Sequence, residues 1–131
     1  MTGLFGRTSK DPNLKTNVKK FKEFKKLLQA KKYDESLKAG LILLKTAPNH
    51  HDALFMVGSI YYLKNKHRLA VSYFDKSLDI GEYDVDVLLL KAYSHQKLGE
   101  HKRAISCCEK ILEIDPKNKP VDGLLQELGG I

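Results

Sequence analysis

The sequence predicts an all-α chain of three repeated helix pairs followed by a closing helix. Two observations carry that prediction. Apolar residues recur three and four positions apart through six successive stretches, as in Leu37, Leu41, Leu44 and again in Ile105, Cys108, Leu112, and no stretch alternates as a half-buried strand would. The chain also matches itself at an offset of 34 residues. Ser36, Ala70 and Ala104 form a small-residue row, and Leu37, Val71, Ile105 and Leu44, Leu78, Leu112 form apolar rows. Tyr33, His67 and His101 share a flat, half-polar ring. A fixed period of this size marks a stack of helical units, none of which can bury its apolar face alone.

Taken in order, residues 1–14 carry no periodic pattern and are expected to be a flexible N-terminal segment. Residues 15–128 then form a single domain, with repeats at about 17–50, 51–84 and 85–118. In the first repeat, Lys15–Lys31 reads as one helix and Asp34–Thr46 as the other, with the breaker Pro48 beyond. In the second, "DALFMVGSIYYLK" opens on Asp52 as N-cap, turns at "NKH", and "RLAVSYFDKSLDI" runs to Ile80. In the third, "DVLLLKAYSHQKLG" stops at Gly99, and "EHKRAISCCEKILEIDP" runs to Pro116. Residues 119–128 form the closing helix. Pro120 stands near its start, where a missing N–H costs little, and Leu124, Leu125 and Leu128 cover the end of the third unit. Residues 129–131 are a tail. Gly58 and Ala92 align as small residues, and Phe24 breaks that row. It predicts that the first pair is splayed or capped differently.

Length and composition bound the function. A chain of 131 residues, 42% hydrophobic and 30% charged, suits one soluble domain with a real core. Apolar runs such as Leu41–Leu44 fall far short of the roughly 18 residues of a membrane span. The N-terminus lacks an apolar stretch of signal-peptide length, so export is not expected. Cys107 and Cys108 are adjacent and build no disulfide framework, which fits a reducing, cytoplasmic setting. The net charge of +7 is local: residues 1–32 hold ten Lys or Arg against two acids, and the remainder is close to neutral.

Catalytic chemistry is not encoded in any recognisable pattern. There is no Gly-rich phosphate loop, Cys-x-x-Cys or His-Glu-x-x-His. His50, His51 and Asp52 are neighbours on a turn whose side chains diverge, and a metal needs three or four convergent ligands. His101 and Cys108 lie seven residues apart on one helix face, about 10 Å along the axis and beyond hydrogen-bond reach. Cys108 reads as a buried thiol at a helix-packing position, and Cys107 as the more exposed of the two. The expectation is a protein that is not an enzyme and takes no cofactor or metal.

A 34-residue unit ending "AISCCEKILEIDP", with Gly58 or Ala92 mid-helix, an aromatic before the second helix's alanine and a closing proline, resembles a tetratricopeptide repeat. The resemblance covers about residues 16–116. It is strongest in the third repeat, misses the proline in the second, and is poor in the first repeat's opening helix. "KPVDGLLQELGG" is similar to the extra helix that often closes such arrays. The resemblance implies a right-handed superhelical α-solenoid whose first helices line a concave face. It implies a protein–protein interaction module, a scaffold or adaptor, that binds a peptide or helix of a partner protein.

By the same resemblance the inner stripe falls on Phe21, Lys25 and Leu28, then Phe55, Ser59 and Tyr62, then Leu89, Tyr93 and Gln96, with Asp52 and Asp86 near the helix starts. Aromatic residues there offer the contact area of binding hot spots; the competing reading is that several pack between helices. Members that grip a chaperone's C-terminal carboxylate use lysines, asparagines and an arginine. The matching places here hold Phe21, Lys25, Met56, Asp86 and Leu90, so that ligand is not expected. Leu41 and Ile42 stand where the other repeats carry the charged pairs Asp75, Lys76 and Glu109, Lys110, which points to self-association as a homodimer or to cover by Leu4 and Phe5. The alternative function is an adaptor whose lysine-rich first helix, Lys15–Lys32, meets anionic membrane or nucleic acid.

Overall fold

The computed structural model describes residues 11–129. Most of the expected N-terminal segment, including Leu4 and Phe5, lies outside the described residues, as does most of the tail. Among the described residues the chain is all-α: α1 Leu14–Gln29, α2 Tyr33–Thr46, α3 His51–Leu63, α4 His67–Ile80, α5 Val85–Lys97, α6 His101–Ile114 and α7 Lys119–Leu128. The helices pack as pairs, α1 with α2, α3 with α4 and α5 with α6. They divide into two compact units, residues 1–48 and 49–131.

The 34-residue period is written into the backbone of the turns. Lys31, Asn65 and Gly99 all take positive φ, at 59°, 62° and 75°. In each turn the next N–H reaches back across the helix end: Lys32 to Leu27 O, Lys66 to Tyr61 O and Glu100 to His95 O, at 2.8–3.0 Å. This left-handed cap satisfies orphan carbonyls and reverses the chain in the fewest residues. Gly99 suits it, as the sequence anticipates; Lys31 and Asn65 adopt the same conformation with a Cβ in place.

Unit 1 is the pair α1/α2. Phe24 and Leu43 are fully buried, with Ser36 and Gly40 beside them in the core. At the open end of the pair the Thr46 hydroxyl donates to Asn17 Oδ1 at 2.6 Å, so a buried amide has a partner. Phe24 is taken into the core by an exchange of sides. One period on, Gly58 faces Phe74; in unit 1 the register puts the ring on the first helix and Gly40 on the second.

Unit 2 holds α3–α7. Gly58 is needed for the α3/α4 approach, because a Cβ there would stand 2.7 Å from Phe74 Cε1. Ala70, Phe74 and Val87 form one buried cluster, with Phe55, Tyr61, Tyr62, Leu78 and Leu90 packed on it. A second cluster joins Leu88, Ala92, Ala104, Cys107, Cys108 and Ile111 to Val121, Leu124, Leu125 and Leu128 of α7. The closing helix therefore covers the third pair with the leucines the sequence nominates.

Two helix starts differ from expectation. Asp52 is not the cap of α3: the His50 ring accepts from the Ala53 N–H at 3.2 Å, and Asp52 sits in the first turn, where its charge meets the positive end of the helix dipole. Asp84 caps α5, accepting from the N–H groups of Asp86 and Val87. Cys107 is buried like Cys108, because its helix face is covered within unit 2.

Candidate functional site

The inner stripes begin with helix spacing. Positions 52, 55, 59 and 62 of α3, and 86, 89, 93 and 96 of α5, are three and four residues apart, so each set lies along one face of its helix. Within unit 2 the two helices make only a limited direct contact, and Tyr62 of one lies near Tyr93 of the other. Asp52 and Asp86 are exposed; Phe55, Ser59, Tyr62, Leu89, Tyr93 and Gln96 are half-buried.

Half-burial has a cause at each position. Phe55 leans on Phe74, ring centroids 6.0 Å apart, so its inner edge is core and its outer edge is surface. Tyr62 meets the His67 ring edge-on at 5.0 Å. Burial, and then the neighbouring Tyr93, push the Tyr62 phenol above its usual range. Burial, and then Lys97, hold His67 below the usual histidine range. Tyr62, His67, Tyr93 and Lys97 are thus electrostatic neighbours at the C-terminal end of the stripes.

Two residues of the expected set are already engaged. The Ser59 hydroxyl donates to Phe55 O at 2.8 Å, and the Gln96 amide donates to Glu127 of α7 at 2.9 Å. Leu90, half-buried beside Phe55 and Tyr62 on the same cluster, adds apolar surface that a stripe drawn strictly through position 89 leaves out. In unit 1 the corresponding stripe is Phe21, Lys25 and Leu28, with the Lys25 ammonium 4.7 Å above the Phe21 ring. Its N-terminal continuation, Leu14 and Val18, is 47% and 48% exposed.

The remaining polar groups form structural contacts. His95 is buried and hydrogen-bonded to Glu100 at 2.8 Å, and Glu100 also pairs with Arg68 at 3.0 Å. His51 lies 3.4 Å from Asp52 and 3.5 Å from Asp84. Burial pushes the Cys108 thiol up to about 11, and raises Cys107 as well. Both thiols are therefore protonated and poorly nucleophilic at neutral pH. No group of three His, Cys, Asp or Glu that could hold a metal occurs among the described residues, and no described helix is long and apolar enough to cross a membrane.

On the face away from the stripe, Asp75, Lys76, Glu109 and Lys110 are exposed, as expected for outward positions. Ile42, the apolar counterpart in unit 1, is 44% exposed, while Leu41 is half-buried.

Comparison with known proteins agrees with the geometry. Tetratricopeptide-repeat family models match residues 85–118 and residues 51–81. The first TPR of Spaghetti (RPAP3) bound to HSP90 peptide SRMEEVD superposes with a TM-score of 0.80 at 17% identity, over 86% of this chain and 90% of that one. The Arabidopsis OM64 TPR domain gives 0.82 at 14%, over 88% and 96%. MamA from residue 41 to its end, from Desulfovibrio magneticus RS-1, gives 0.78 at 15%, over 95% and 70%. No curated protein matches. At these identities the structures speak for the fold, while the two family models speak for the repeat itself, and together they show that the chain belongs to the tetratricopeptide-repeat family.

Proposed function

We propose that the chain is a non-enzymatic adaptor that binds a segment of a partner protein on the aromatic inner face of unit 2. The observation that carries this reading is the row Phe55, Tyr62, Tyr93, anchored on the core yet half open. Aromatic side chains held in this way lose little entropy on binding, and hot spots are built from them. Asp52 and Asp86 at one end of the stripes and Lys97 at the other give the surface polarity along its length. The fitting ligand is an amphipathic segment with apolar anchors, basic toward the helix starts and acidic toward their ends.

A chaperone C-terminus of the SRMEEVD kind, held by the first TPR of Spaghetti, does not suit this surface. Met56, Asp86 and Leu90 stand where a carboxylate clamp needs amides and cations, and Asp86 would repel the terminal carboxylate. In unit 1 the equivalent positions by register are Phe21, Lys25 and Leu28.

The test is selection from a random peptide library against the whole chain. Enriched peptides should be amphipathic, and should lose at least tenfold in affinity for a Phe55→Ala, Tyr62→Ala variant that keeps its helical circular dichroism. Equal affinity for that variant, or enrichment of SRMEEVD-like acidic C-termini, would overturn the reading.

A second reading rests on Leu14 and Val18, exposed on a helix whose flanking residues include Lys15 and Lys19. Apolar surface among lysines suits an anionic bilayer. Sedimentation with phosphatidylserine vesicles at low and moderate salt, compared between wild type and Leu14→Glu, Val18→Glu, decides it. Binding that persists in the variant would rule out insertion of these residues.

A further inference from the structure

The chain contains its own template for a missing side chain. In unit 2 the Tyr61 and Tyr73 rings pack at 5.6 Å between centroids, and the Lys76 ammonium caps Tyr73 at 4.8 Å. One period earlier, in unit 1, the same three positions are Leu27, Ala39 and Ile42. Replacing a tyrosine by alanine there removes a whole ring from the cleft between a repeat's two helices. A hollow of about 400 Å³ remains, lined by Leu27, Asp34, Glu35, Lys38, Ala39 and Ile42.

We propose that this hollow receives an aromatic side chain from a partner protein, with a lysine or arginine beside it in that partner's sequence. The floor is apolar, and Ile42 at its edge is 44% exposed. Tyr73 shows that the equivalent cleft of unit 2 seats a ring, there against Tyr61. The rim selects the neighbouring charge. Asp34 and Glu35 stand where α4 has Arg68 and Leu69 and where α6 has Lys102 and Arg103. Lys38 also lines the hollow, so the rim carries a net charge of −1 where its counterparts in the other repeats are positive, which favours a cation next to the inserted ring. Ile42 in place of Lys76 leaves the ring without the cap that unit 2 supplies from within. Leu41, half-buried, lies outside the hollow, which narrows the earlier apolar pair to Ile42. None of the six residues belongs to the proposed inner stripes, so failure here leaves that reading standing.

The probes are acetyl-Phe-Gly-Arg-amide, its Leu-Gly-Arg and Phe-Gly-Glu analogues, and the full chain, followed by methyl resonances of Leu27, Ala39 and Ile42. The aromatic-basic peptide should shift these signals saturably, and the leucine analogue, which fills less of the ring-sized space, should bind more weakly. The glutamate analogue should bind more weakly still. Ala39→Tyr fills the cleft in cis and should abolish the shifts while raising the melting temperature. Ile42→Lys, at an exposed position, should restore the unit 2 arrangement at the rim and weaken the basic peptide without unfolding the pair. Equal binding of all three peptides, or undiminished binding by a folded Ala39→Tyr, overturns the proposal. Two other outcomes also overturn it. Binding seen only in Phe5→Ala would assign the hollow to this chain's own Phe5 and Arg7. A dimer in light scattering that Ala39→Tyr dissociates, and that Tyr83→Ala at the 66% exposed Tyr83 ring also dissociates, would assign it to a second copy.

Discussion

Replacing Gly58 by alanine should destabilise unit 2, although alanine is the better helix former. The new methyl would stand 2.7 Å from Phe74 Cε1, 2.8 Å from Cδ1 and 3.3 Å from Tyr73 Cβ. Comfortable carbon contact begins near 3.5 Å, so the ring or the helix must move by most of an ångström. Phe74 cannot yield freely, because it is fully buried and packs against Phe55. Overpacking of this kind costs about 1–3 kcal/mol. Against it stands a gain of about 1 kcal/mol for exchanging glycine for alanine inside a helix. The net expectation is a loss of about 1 kcal/mol, or a few degrees in melting temperature for a domain of this size.

The sign is the sharper part of the prediction. In a Phe74→Leu background the obstructing ring edge is gone, and Gly58→Ala should then stabilise by its helix propensity, about 1 kcal/mol. Urea unfolding followed by far-UV circular dichroism, on wild type, both single variants and the double variant, gives a coupling energy near 2 kcal/mol if the contact is as described. Gly58→Ala that stabilises wild type, or that has the same effect in both backgrounds, would refute the reasoning.

Three further outcomes are expected. Lys31→Gly should raise stability by about 1 kcal/mol, because Lys31 holds φ 59° with a Cβ in place, while Gly99→Ala should lower it by a similar amount; thermal melts of the two variants check both. Neither cysteine should react with a disulfide reagent in the native chain at neutral pH, and both should react in urea, since burial shields the thiols and raises their pKa. His95, and then Arg68, hold the Glu100 carboxyl below its usual range. A depressed carboxylate contributes stability above its unfolded pKa and loses it as the pH falls through the folded one. Wild type should therefore be more stable than Glu100→Gln at neutral pH, with the difference vanishing in acid below the carboxylate range, as unfolding curves across pH would show.

The same paired positions explain why the first repeat was hard to read from sequence. Rows at a fixed offset test one position at a time, and by that test Phe24 fails beside Gly58 and Ala92, while Gly40 fails beside Phe74 and Cys108. Taken as pairs they agree: glycine against phenylalanine, alanine against cysteine, phenylalanine against glycine. What the repeat keeps is the space shared by two helices, and a fixed space can be filled from either side. The outer rows of α1 are a different matter. Lys20 and Glu23 hold the places of Leu54 and Val57, so the first helix has only Phe24 and Asn17 buried. Its family signature is correspondingly weak, and the matched models begin at residue 51.

The candidate site was legible to a different depth. Which residues share a helix face follows from spacing, and the resemblance to tetratricopeptide repeats implies which face is the inner one, so the stripe through Phe55, Tyr62 and Tyr93 could be drawn before any coordinates. What each side chain has left to offer could not. Ser59 spends its hydroxyl on its own helix and Gln96 on the closing helix, and both contacts depend on rotamers that spacing does not set. This sorts the stripe into anchors and supports. Ser59 and Gln96 shape the surface with their polar groups already satisfied, and the aromatic rings present open apolar area. Substituting Gln96 should therefore loosen α7 before it alters ligand choice, whereas substituting Tyr93 should alter ligand choice with the helices in place. Chemical denaturation of Gln96→Ala and Tyr93→Ala, beside their affinities for the same selected peptide, separates the two roles. Loss of affinity without loss of stability in Gln96→Ala would reverse the assignment.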